Sequence, residues 1–215
     1  MKTSRTLLAI LIALLPLLYL NFIWTELPER VAIHFNLEGR PDGYSTRYGL
    51  YGLLFGLTAF SLALFFGLKN AWKLDPKGGE ANRTLLERIA LGTTLFLAFV
   101  SLLVIESSRR SDGSVIDYLF VAMPLLFIFL GNTMIHSTPN LLIGFRTRAT
   151  LSDPDIWAKT HQMGGRLMMF AGIFCLLPVL YLPTEGKLLV VLAMVLVTTI
   201  SPLVYAGRLA KDRGR

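Results

Sequence analysis

Six continuous apolar stretches, at residues 6–24, 48–68, 89–105, 118–135, 167–182 and 188–207, restrict this chain to one kind of solvent. Each is 16 to 21 residues long. About 20 apolar residues at ~1.5 Å rise cross a hydrocarbon core roughly 30 Å thick. The bilayer offers no water to unpaired N–H and C=O groups, so a spanning segment must be a helix or part of a closed barrel. The apolar/polar alternation of a membrane barrel is absent, and unbroken apolar runs mean helices. The expected fold is all-α, a polytopic membrane bundle of about six transmembrane helices. The stretch at 167–182 is short and is expected to extend back toward Trp157.

Charge is scarce where the runs lie. Charged residues make up 16% of the chain, against roughly 25% in an ordinary soluble domain. The net charge of +7 sits in short gaps between runs, which fits cytoplasmic loops better than a nucleic-acid-binding face, so no direct nucleic-acid binding is expected. With the N-terminus inside, 15 of the 21 Lys and Arg fall on the cytoplasmic side, so both termini are expected there. The first stretch resembles a signal peptide, but no small-x-small cleavage pattern follows it, and it reads as an uncleaved first helix. The lone Cys175 lies within an apolar run and reads as a packing residue. Gly52-x-x-x-Gly56 reads as a close-packing face inside the bundle, and Pro183-Thr184-Glu185-Gly186 as a tight hairpin.

The chain divides into an N-terminal hairpin, 1–68, with an outer loop at 25–47, and a four-helix region, 69–215, with a cytoplasmic loop at 137–166. In the outer loop, Val31, Ile33 and Phe35 alternate with Ala32, His34 and Asn36, which predicts an extended piece. Arg40-Pro41-Asp42-Gly43 reads as a turn. His34 with Asp42 could contribute to a metal site, but two ligands are too few, and a hydrogen-bonded structural His34 is the expectation.

In the inner loop Ser152 reads as an N-cap, with Asp155 three residues on, and a helix starts near Asp153. On that helix Trp157, His161 and Gly164 or Gly165 share a face, with Trp157 suited to the membrane interface. Gly164 and Gly165 suit close packing or a bend. Arg146 either locks the loop through backbone carbonyls or pairs with an acid, whether Asp153, Asp155 or an acidic partner. Asn132 is the most polar group within a helix and could bridge helices, or centre the polar path of a small-solute transporter or channel, the alternative reading.

No His-Glu-x-x-His helix, Gly-x-Ser-x-Gly elbow or phosphate-binding glycine loop is present. An enzyme would need Arg146, Asp153, Asp155, His136 and His161 to converge. The expectation is a protein without catalytic residues, metal ligands or a cofactor.

Asn132, Pro139, Asn140, Gly144, Arg146, Thr147, Leu151, Trp157, Thr160, His161, Gly164 and Gly165 together resemble the signature of the SdpI family of bacterial multi-pass membrane proteins. Leu27-Pro28, His34-Phe35-Asn36, Gly39 and Asp42-Gly43 resemble a domain of unknown function that often precedes it, with Ala32 where relatives often carry proline. The resemblance implies residence in the bacterial cytoplasmic (inner) membrane and immunity to a secreted peptide toxin. It further implies a receptor that holds a small DNA-binding repressor at the membrane when toxin is present. The binding residues it suggests are His34, Asn36 and Asp42 outside, with Asn132, Asn140, Gly144, Arg146, Thr147, Trp157 and His161 in the inner signature.

Overall fold

The computed structural model describes residues 2–36, 40–75, 80–111 and 113–214. Gly39, Lys77 and Arg215, used in the reading above, lie outside the described residues. The elements are α1 (Lys2–Phe22), β1 (Arg30–Phe35), β2 (Pro41–Thr46), α2 (Arg47–Ala71), α3 (Arg83–Arg110), α4 (Asp117–Met134), α5 (Arg148–Ser152), α6 (Pro154–Tyr181) and α7 (Thr184–Asp212). Among the described residues six helices, all but α5, are long and apolar enough to cross a membrane. The chain is a multi-pass membrane protein of helices, and each apolar stretch falls in one of the six. The stretch at 167–182 extends back as expected, and past Trp157, because α6 is continuous from Pro154. The connection between α6 and α7 is tighter than the sequence suggested. Thr184, Glu185 and Gly186 already belong to α7, and Pro183 stands as its N-cap.

The chain forms two compact units, Met1–Phe66 with Ala90–Ala122, and Gly67–Ile89 with Met123–Arg215. In the first, Leu17, Leu20, Ile23, Leu27, Val31, Leu50, Leu54 and Ile105 pack into one core. The Thr58 hydroxyl donates to the Ala13 carbonyl, tying α2 to α1. Glu106 accepts from the Tyr19 hydroxyl and from Arg109 and Arg110, and Arg109 also reaches Glu26.

Strands β1 and β2 pair antiparallel, so the extended piece has a partner within the same loop. Pro41, Asp42 and Gly43 are part of β2, which corrects their reading as a turn. The chain reverses before them. Asn36 N–H donates to the Arg40 carbonyl at 3.0 Å, and the Asn36 side chain accepts from Arg40 N–H at 2.9 Å. The register slips on both sides of His34. Consequently Val31 and Ala32 are both buried while Ile33 and His34 are both exposed, and strict alternation is lost.

Gly52 and Gly56 do not pack within the first unit. Both are exposed, and among the described residues a Cβ on either would meet nothing within 4 Å. Helix α2 buries Leu50, Leu54, Thr58, Ser61 and Phe65, and the two glycines lie roughly 160–200° round the helix from Leu54. Close approach occurs in the second unit instead. A Cβ on Gly165 would stand 2.6 Å from the Gly131 carbonyl oxygen, and one on Gly131 would stand 2.5 Å from the Gly165 oxygen. A Cβ on Gly172 would come within 2.8 Å of the Pro124 oxygen. Small residues let α4 and α6 meet backbone to backbone, which is how membrane helices gain van der Waals contact without a hydrophobic driving force.

Candidate functional site

The loop between α4 and α6 is held by its own side chains. Asn140 is buried, with 1% of its surface exposed. Its carbonyl oxygen accepts from Leu142 N–H at 2.9 Å and Ile143 N–H at 2.7 Å, and its amide donates to the Thr138 carbonyl at 2.9 Å. An Asx turn of this kind is what a short amide side chain does best. Asn82, at the start of α3, clamps Thr138 from the other side, accepting its N–H at 3.2 Å and donating to its carbonyl at 3.3 Å.

Thr147 opens α5 as an N-cap. Its hydroxyl accepts from Thr150 N–H at 3.1 Å, and the Thr150 hydroxyl accepts from Thr147 N–H at 2.9 Å. The Thr150 hydroxyl also donates to the Phe145 carbonyl at 2.7 Å. Such a cap stabilises by about 0.5–2 kcal/mol. The next cap is Asp153, whose carboxylate accepts from Asp155 N–H at 3.0 Å and Ile156 N–H at 3.3 Å. This corrects the assignment of Ser152, which lies inside α5 and back-bonds to Ala149. Pro154 takes the first position of α6, where its missing N–H costs nothing.

His161 is the centre. It is wholly buried, its ring stacked on Trp157 at 3.9 Å with 15° between planes. Nδ1 stands 2.9 Å from the Trp157 carbonyl oxygen and Nε2 accepts the Phe145 N–H at 3.0 Å. A carbonyl can only accept and an N–H can only donate, so the ring is the neutral tautomer with its proton on Nδ1. Gly144 makes this possible. Its φ is +111°, and a Cβ there would lie 2.1 Å from His161 Nε2. Trp157 is fully buried, its indole N–H shared between the Ser137 carbonyl at 3.1 Å and hydroxyl at 3.2 Å. It therefore anchors the loop and is no lipid-facing interface residue. The hydroxyl of neighbouring Thr160, also fully buried, has no hydrogen-bond partner among the described residues.

Arg146 is exposed and donates to the Leu141 carbonyl, the first of its two expected roles. The second is taken by Arg213, which bonds Asp153 at 2.6 Å and also Asp155. Lys159 adds a pair with Asp155 at 2.9 Å. Burial opposes ionisation of Asp153. The Arg213 guanidinium and the N–H groups of Ile156 and Asp155 outweigh it and hold the carboxyl below its usual range. A carboxyl lowered by folding stabilises fully above its unfolded pKa, near ~3.9, and loses that contribution as pH falls through the folded value. The melting temperature in detergent should therefore be insensitive to this pair from pH 7 down to about 5, then fall in the acid range. Asp153→Asn should reduce that acid-range fall, and an undiminished fall would show that the pair is not its source.

The structure thus joins Asn140, Gly144, Arg146, Thr147, Trp157 and His161 in one interlocked loop. Asn132 stays apart. It is exposed, two residues before the end of α4. In the first unit His34 Nδ1 lies 2.5 Å from Asp42 Oδ1, and Asn36 closes the reversal. Gly43 stands opposite His34, where a Cβ would meet His34 Cβ at 2.8 Å. Among the described residues no three His, Cys, Asp or Glu could hold a metal ion. The His161 ring is engaged by the backbone, and both aspartates bind Arg213. The sequence reading missed Asn82, Ser137, Thr150 and Arg213. Thr147-x-x-Thr150 carried a capping signal, whereas nothing distinguished Arg213 from other terminal basic residues.

Residues 136–206 match the SdpI/YfhL protein family, and residues 11–58 match a domain of unknown function, DUF1648. The first match spans the interlocked loop, α6 and most of α7. No curated protein and no solved structure matches the chain.

Proposed function

We propose, from the match of residues 136–206 to the SdpI/YfhL protein family, that this chain protects a bacterium against a secreted peptide toxin by binding, without catalysis. In this reading the β1–β2 hairpin receives the peptide and the loop at 137–166 faces the cytoplasm. There it holds a small DNA-binding repressor while toxin is present.

The observation that carries the reading is the division of labour within the loop. Its buried members, Asn140, Trp157 and His161, spend their polar atoms on backbone or on Ser137, so they shape the loop. His161 has no ring nitrogen left for proton transfer in this geometry. Arg146 remains exposed on that fixed frame. A planar guanidinium held by a backbone carbonyl keeps donors for an outside partner.

The test is survival of sensitive bacteria expressing the chain and challenged with the peptide toxin that the family's immunity members resist. Wild type should protect, and Arg146→Ala, at equal membrane abundance, should lose protection. Unchanged protection by the variant would remove Arg146 from the mechanism. Failure of the wild type, inserted in the membrane, would remove resistance to that toxin.

A further inference from the structure

A cleft of about 570 Å³ opens in the second unit where α5, the start of α6 and the end of α7 meet. Its floor is Ala149, Ile156 and Ala210, and its polar edge is Arg148 and Ser152. Arg148 is exposed, and among the described residues no ion pair uses it. Asp153 is matched by Arg213 and Asp155 by Arg213 and Lys159, while Asp212, at the end of α7, is exposed. Arg208 and Lys211, flanking Ala210 on α7, are exposed as well. Arg148 is the charged residue that lines the apolar floor, and with Arg208 and Lys211 against Asp212 the surrounding end of α7 is net positive.

Its location decides what fills it. Candidate membrane spans begin at Pro154 and end at Asp212, so the cleft lies at the ends of two of them, on the side where a bilayer surface would meet the chain. Below it on α7, Leu203 and Val204 are 40% and 48% exposed, an apolar surface suited to acyl chains. Basic pockets between membrane helices take anionic headgroups, each nearby Lys or Arg adding to the attraction.

We infer that this cleft is a binding site for the phosphate-bearing headgroup of an anionic phospholipid, with Arg148 as its principal contact. The phosphodiester accepts from the Arg148 guanidinium, Lys211 and Arg208 add long-range attraction, and the first acyl segments lie against Ile156 and Ala210. The site is independent of toxin binding and requires neither orientation of the chain.

The experiment is native mass spectrometry of the whole chain released from nanodiscs of equal parts phosphatidylglycerol and phosphatidylcholine. Wild type should retain phosphatidylglycerol over phosphatidylcholine by about fivefold or more, the worth of one such arginine. Arg148→Gln should abolish the preference, and Arg40→Gln, on the β hairpin, should leave it. Circular dichroism and melting temperature establish that the Arg148 variant is folded. Equal retention of both lipids by the wild type, or a preference that survives Arg148→Gln, would overturn the inference. So would complete displacement of the lipid by millimolar inorganic phosphate, which would make this a free-phosphate site.

Discussion

Gly144→Ala should leave six helices in the membrane and yet abolish protection. Alanine at φ +111° is strained, and its Cβ would lie 2.1 Å from His161 Nε2. The ring must move, and the Phe145 N–H then loses its acceptor. A strained backbone costs about 1–3 kcal/mol and an unsatisfied buried donor about 1–3 kcal/mol. Together these come to about 2–6 kcal/mol, so the site rearranges locally. Hydrogen exchange should show the Phe145 amide losing protection while α1 and α2 keep theirs. A variant with wild-type exchange at Phe145 would mean that the glycine is not needed for the loop.

The second large effect belongs to Gly165. Here the obstacle is backbone on the facing helix, the Gly131 oxygen at 2.6 Å from a Cβ, with Ile135 close beside it. Backbone cannot rotate aside as a side chain can, so Gly165→Leu must push α4 and α6 apart. Overpacking of this kind costs about 3 kcal/mol. The expected result is a lower melting temperature in detergent and reduced abundance in the membrane. Gly52→Leu provides the contrast, since a Cβ at Gly52 meets nothing within 4 Å and the variant should melt like wild type. Equal melting of both variants would show that α4 and α6 do not meet as described.

The two substitutions also show what could be read from residue order. The six helices were legible because lipid leaves the backbone no alternative within runs as apolar as 48–68 or 188–207. The loop residues were legible as a set through their resemblance to the family signature, but their roles were not. Trp157 looked like an interface anchor because tryptophan favours the headgroup region. Only its contact with Ser137 shows it facing inward. Ser152 and Asp153 are both good caps, and the choice depended on α5 intervening as a separate turn. Pro41-Asp42-Gly43 has turn chemistry but serves an irregular strand, with Gly43 needed opposite His34. Arg213 reaches Asp153 across 60 residues of sequence, a pairing that no local pattern encodes. The glycines of α2 and α6 look alike in sequence. Only the facing backbone separates Gly165, which is packed, from Gly52, which is not.

Central to this account is that the chain protects by binding a peptide and leaves it chemically unchanged. The most direct test is equilibrium binding of the family's peptide toxin to the full chain in nanodiscs, followed by the mass of the recovered peptide. Saturable binding with peptide of unaltered mass is the predicted result. Absence of saturable binding at concentrations that kill sensitive cells, or recovery of cleaved or modified peptide, would contradict it.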